Sequence, residues 1–173
     1  MGMTENIELL ALKLLDRFDE HISAQLLLLR YYRWAFKEPF YGGEVGPMGF
    51  TGLHGVAFLG IVEIAVAVLD MKEWDVKAAD YTGNTALIWA AIRGHSEVVK
   101  IPLEREDINP NQADTESGST PLSRAAKYQH LGVVKMLFGR EEVNPDQGDT
   151  KSGRTPLSWA AEYGHSGVKM LLE

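Results

Sequence analysis

The chain has 173 residues, 45% of them hydrophobic and none of them cysteine, which is enough to build a continuous core and rules out disulfides, cysteine-ligated zinc and thiol catalysis. Seventeen basic against 24 acidic residues leave a net charge of −7, which opposes attraction to nucleic-acid phosphates or anionic lipid, so neither nucleic acid nor membrane is expected as a partner. The N-terminus lacks the basic start, apolar run and cleavage site of a secretory signal, and the chain carries no Asn-x-Ser/Thr site, which together suit an intracellular, cytoplasmic protein.

From Glu5 to about Lys37 apolar residues recur at Ile7, Leu10, Leu14, Leu15, Phe18, Ile22, Leu26 and Leu29, three and four apart, on one helical face. This predicts an N-terminal helical segment over 1–38, as one long helix or two shorter ones. Its most apolar window, Ile22 to Phe36, is interrupted by Gln25, Arg30 and Arg33 and falls short of the roughly 20 apolar residues that cross a bilayer. The run ends at Pro39, and residues 39–49 are rich enough in Gly and Pro to form a loop.

Beyond the loop the chain repeats itself. Asp80-Tyr-Thr-Gly-Asn-Thr-Ala-Leu-Ile-Trp-Ala-Ala-Ile-Arg-Gly-His95 has close copies starting at Asp114 and Asp149, and a weaker one runs from Thr51 to Gly60. The marker threonines Thr51, Thr85, Thr120 and Thr155 stand 34, 35 and 35 residues apart, a period that signals a stacked array with units at about 50–79, 80–113, 114–148 and 149–173.

Each unit reads as turn, helix, turn, helix. Thr120 and Thr155 can cap a helix whose first position holds Pro121 or Pro156, where the missing N–H costs nothing. The pairs Ala90-Ala91, Ala125-Ala126 and Ala160-Ala161 allow close helix packing, and Gly94 and Gly164 suit a positive φ at the helix end. The second helix follows from His95 or His130 with its valines inward. Behind it, Asp107-Ile-Asn-Pro and Glu142-Val-Asn-Pro predict a projecting loop whose Ile or Val tucks back into the core.

Three departures stand out. Pro102 falls inside a second helix and predicts a kink or early end near Val98 to Ile101. Gln129 replaces the helix-ending glycine, so a positive φ there carries a penalty of about 1 kcal/mol. The last unit lacks one valine after Val168, which would rotate Met170-Leu171-Leu172 by about 100°. The chain then stops at Glu173 without a polar capping repeat, which reads as a fragment or truncated product, with segment 5–37 as a cap for the opposite end.

The combination Asp-x-x-(x)-Gly-x-Thr-Pro-Leu-x-x-Ala-Ala-x-x-Gly-His-x-x-Val-Val-x-x-Leu-Leu, followed by Asp-Val/Ile-Asn, resembles the ankyrin repeat, in four units from Phe50 to Glu173. The resemblance implies an all-α solenoid of about four helix pairs with short hairpin fingers. The wording of the units, with Gly49-Phe-Thr-Gly-Leu-His-Gly-Val-Ala-Phe-Leu-Gly60, looks like the ankyrin tails of filamentous-fungal NACHT-type signalling proteins, where such a segment would follow a nucleotide-binding module and act as a sensor. The resemblance also implies that His54 bonds the turn.

For chemistry the residues offer little. His95, His130 and His165 recur once per unit, but helix pairs stack about 10 Å apart, too far to share a metal with bonds of about 2 Å. They read as anchors of the second helix. The pairs Asp114/Glu116 and Asp146/Asp149 lack the ligand spacing of a calcium loop and read as solvated tips; Ser123 and Ser158 lack a nucleophile elbow and read as helix-start residues. No catalytic residue, cofactor, metal or small-molecule substrate is expected.

The positions that differ between copies are more informative. Tyr81, Thr82 and Asn84, then Thr115, Glu116 and Ser119, then Thr150, Lys151 and Arg154 occupy successive turn tips. Along the first helices, Trp89, Ile92 and Arg93 correspond to Arg124, Lys127 and Tyr128, and to Trp159, Glu162 and Tyr163. In ankyrin proteins the matching positions line the concave groove and finger tips, so the resemblance implies that they contact a protein partner, with the isolated array a monomer. Trp89 and Trp159 have a second reading as filler between units.

Overall fold

The computed structural model describes residues 49–70 and 75–163. The N-terminal helical segment, the expected loop up to residue 48, and the last ten residues, with Gly164, His165 and the missing valine, lie outside the described residues.

Among the described residues the chain forms helices α1 (Gly52–Leu59), α2 (Val62–Asp70), α3 (Ala86–Arg93), α4 (Ser96–Leu103), α5 (Pro121–Lys127), α6 (Leu131–Phe138) and α7 (Pro156–Glu162), and no strand; an isolated antiparallel bridge joins Ala79 to Thr85. Helices α1, α3, α5 and α7 pack side by side in one row, and α2, α4 and α6 form a second row behind it. The result is an all-helical solenoid.

Local sequence explains each start. Thr85, Thr120 and Thr155 lie in extended backbone and accept the amide hydrogens of Ile88, Ser123 and Ser158, with proline at the first helical position of α5 and α7. In the first copy His54 replaces that serine: its Nδ1 accepts the Thr51 amide at 3.0 Å, which leaves Nε2–H to donate to the Ala78 carbonyl at 3.1 Å. His54 thus bonds the turn.

Helices of seven to nine residues are well below the about 12–15 needed for an isolated helix in water, so stacking must hold them. Ala90, Ala91, Ala125 and Ala126 are buried where the first-row helices meet, and Ile88, Val99, Leu122, Val133, Val134 and Leu137 fill the space between the rows. Val143 is buried and Ile108 packs against the same core, as expected of the loop residues that precede each turn.

The early helix end at Pro102 does not occur. Helix α4 runs to Leu103 and is eight residues long, as α6 is. Pro102 is the penultimate residue, so its missing N–H touches only the last turn, which Glu104 and Arg105 close by donating to the carbonyls of Ile101 and Pro102. Burial of Leu103 holds that turn in place. At the end of α5, Gln129 takes the strained conformation expected of it, with φ at +66°, where Gly60 and Gly94 sit at +74° and +76°.

Candidate interaction surface

Each turn tip is built on a buried aspartate. Asp80, Asp114 and Asp149 are only 3–5% exposed, which corrects the reading of Asp114 and Asp149 as solvated tips: the three carboxylates face inward and organise the turn. Asp80 Oδ1 accepts the amides of Thr82 and Asn84 and the Thr82 hydroxyl. Asp114 accepts from the amides of Ser117 and Ser119, and Asp149 from the amide and hydroxyl of Ser152. Burial alone would push the Asp149 carboxyl up, but the bonds from Ser152, Trp159 and Gly153 outweigh it and hold the group below its ordinary value.

A further partner of each carboxylate comes from the first helix. Trp89 Nε1 donates to Asp80 Oδ2 at 2.9 Å, Trp159 Nε1 to Asp149 Oδ2 at 3.2 Å, and Arg124 pairs with Asp114 Oδ2 at 2.9 Å. One structural position therefore holds Trp, Arg and Trp with a common task. Comparison of the copies carries the signal, since a donor follows each aspartate by nine or ten residues, but only the folded turn shows that the two meet.

Successive tips are bonded edge to edge. The Thr115 amide donates to Thr82 O at 2.9 Å, and the Thr150 amide to Ser117 O at 2.8 Å. A Cβ on Gly83 would lie 2.3 Å from the Thr115 amide nitrogen, so that glycine makes the close approach possible. Asn111 ties the loops in the same way, donating to Glu142 O and accepting the Asn144 amide, a role the sequence reading missed although Asn-Pro-Asn/Asp recurs.

The histidines also join units. Nε2 of His95 meets the Phe58 carbonyl at 3.1 Å and Nε2 of His130 the Ile92 carbonyl at 2.8 Å, with each ring lying where a Cβ on Gly60 or Gly94 would be. They start the second helices as expected but make no capping bond there; their reach is to the preceding unit. Burial, with Arg93 and His130 nearby, holds His95 below its ordinary value despite the Phe58 bond. No group of three metal-ligating side chains occurs among the described residues.

These contacts sort the expected partner-binding residues. Asn84, Ser119 and Trp89 are buried and belong to the scaffold, and Arg124, with its side chain 13% exposed, is committed to Asp114. Trp89 is covered by Phe50 and Phe58, both edge-on at 5.7 and 5.6 Å, and Arg93 lies over Phe58. Trp159, at the same position two units on, is half-buried: Lys127 Nζ lies 4.5 Å and the Arg154 guanidinium 4.7 Å from its ring centre, and Tyr163 stacks on it at 6.1 Å. Arg154 also pairs with Glu162.

Tyr81 is 59% and Tyr163 47% exposed; Thr115, Glu116, Thr150, Lys151 and Glu162 are exposed, and Thr82, Lys127, Tyr128 and Arg154 half-buried. Lys151 and Glu116 pair across adjacent tips at 3.7 Å. The structure thus gathers Lys127, Lys151, Arg154, Trp159, Glu162 and Tyr163 at one end of the first-helix row, whereas Tyr81 stands at an earlier tip. A crevice of about 20 Å³ between the first two units, lined mainly by aliphatic side chains, has room for about one water molecule.

No helix among the described residues is long and apolar enough to cross a membrane. No curated protein matches the chain. A family model described as ankyrin repeats (3 copies) matches residues 53–149 and 103–173, more than half of the sequence. With its paired rows of short helices, Thr-capped starts and bonded turn tips, the chain belongs to the ankyrin repeat family.

Proposed function

We propose that the array binds a protein partner through the turn tips and first-helix face of its third and fourth units. Ankyrin repeats are generally protein–protein interaction modules and typically not enzymes, which supports a binding role. The observation that carries the location is the contrast between two tryptophans at one position: Trp89 is sealed beneath Phe50 and Phe58, while Trp159 is half-open and flanked by two cations and a tyrosine. Rigid aromatic and Arg side chains on such a surface are strong anchors, and a tip ladder bonded through backbone presents them with little ordering cost.

A second reading makes the array an intramolecular sensor of a larger, cytoplasmic NACHT-type NTPase of a filamentous fungus. The wording of the copies supports it, and a nucleotide-binding module in the same reading frame would favour it. The test of the first reading is a partner pull-down with the full chain against a Tyr163→Ser, Arg154→Gln, Lys151→Gln variant. Loss of about tenfold or more in affinity with an unchanged melting temperature is expected. Retained binding, or loss of binding together with unfolding, overturns the location.

A further inference from the structure

We infer that the Lys127–Trp159–Arg154 cluster takes a carboxylate-bearing segment of the partner, with an aliphatic or aromatic neighbour of that carboxylate resting on Tyr163. The inference rests on the proposed binding surface and names the chemistry that surface selects.

The argument begins with counter-ions. Glu116 is paired with Lys151 and Glu162 with Arg154, and the buried Asp114 and Asp149 are occupied by turn amides, hydroxyls, Arg124 and Trp159. Lys127 pairs with none of them. Its ammonium rests on Trp159 at 4.5 Å, with Tyr128 at 5.9 Å, and the Asp149 and Glu162 carboxylates act on it only from beyond ion-pair distance. The surface therefore offers one cation that is in no ion pair among the described residues.

Lys127 is also half-buried, and that burial, with the Arg124 and Arg154 charges close by, holds its ammonium below the ordinary lysine value although Asp149 and Glu162 act the other way. A partly desolvated cation gains more from an arriving anion than a fully hydrated one, because part of the desolvation is already complete. The indole face keeps the side chain in one place, so little rotamer entropy is lost on pairing. Arg154, on the same ring, pairs with Glu162 through Nη1 and carries further N–H donors beside Lys127. The overall charge of −7 slows the approach of an acidic partner, so the preference shows in affinity and not in association rate.

The test uses the full chain labelled with nitrogen-15 and three blocked octapeptides, alternating Glu-Leu, Gln-Leu and Lys-Leu. The indole signal of Trp159 is assigned by its loss in Trp159→Phe. The expected result is a saturable shift of that signal with the Glu-Leu peptide alone. Lys127→Gln should weaken binding about tenfold, Lys127→Arg should restore it to within about threefold, and Lys100→Gln on the second-row helix α4 should change nothing. Equal shifts from all three peptides, no shift from any, or full affinity in Lys127→Gln overturns the inference. Such a failure leaves the binding surface standing if the Tyr163, Arg154, Lys151 variant still loses the partner; if that variant retains it, the surface itself falls.

Discussion

Arg124 shows how a single residue can look like a binding anchor and serve as scaffold. Its guanidinium and the Asp114 carboxylate form a largely buried pair, but Asp114 keeps the Ser117 and Ser119 amides when the arginine is removed. Arg124→Ala should therefore cost about 2–3 kcal/mol, less than the full penalty of stranding a buried charge. Arg124→Trp should recover most of it, because Trp donates from this position in the units on either side. Urea unfolding of the two variants checks this, and equal loss in both would mean that the pairing is not interchangeable. That these positions vary was legible in the sequence; that they turn back onto an aspartate was not, because the contact exists only once the tip has closed. Protonation acts on the same scale. With His95 held below its ordinary value of 6.5, the unfolded chain binds the proton first as pH falls. Its contribution is complete above 6.5 and is lost between 6.5 and the lower folded value. His95→Gln, whose amide can still donate to Phe58 O, should flatten the fall in unfolding free energy between about pH 7 and 5. An unchanged slope would assign that fall to other groups.

At the scale of the helix the copies act as controls for one another. Gly60, Gly94 and Gln129 hold one left-handed position at the end of α1, α3 and α5, and only the last carries a side chain. Gln129→Gly should stabilise the chain by about 0.5–1 kcal/mol, since relief of the left-handed strain exceeds the entropy a glycine adds to the unfolded state. Gly94→Ala should do the opposite and by more, because a Cβ there would lie 2.3 Å from Nδ1 of His130 as well as carrying the strain. Paired denaturation curves decide both, and a stabilising Gly94→Ala would contradict the packing. The glycine rule was readable because the same signal recurs in register. Pro102 was not, because a proline's cost depends on how many turns follow it, and sequence alone placed it in a helix without showing that the helix ends one residue later.

Across the whole molecule, the joints between units are few and alike. A histidine reaches back to the previous first helix, tip amides bond the previous tip, and Asn111 ties one loop to the next. The periodic sequence made the stacking legible, but not these joints, since each links residues about 30 to 40 positions apart. A chain in which each unit touches only its neighbours has a stability that is a sum over units and joints, and damage at one joint should not spread evenly. His130→Ala removes the bond to the Ile92 carbonyl and leaves a void over Gly94, at the joint between the second and third units. The expected result in native-state hydrogen exchange is asymmetric: amides of α5, α6 and α7 lose protection, while those of α1 and α3, on the other side of the cut and still joined through His95, keep theirs. Equal loss in every helix would show instead that the rows fold as one cooperative block, and the tip ladder would then owe its rigidity to the whole array.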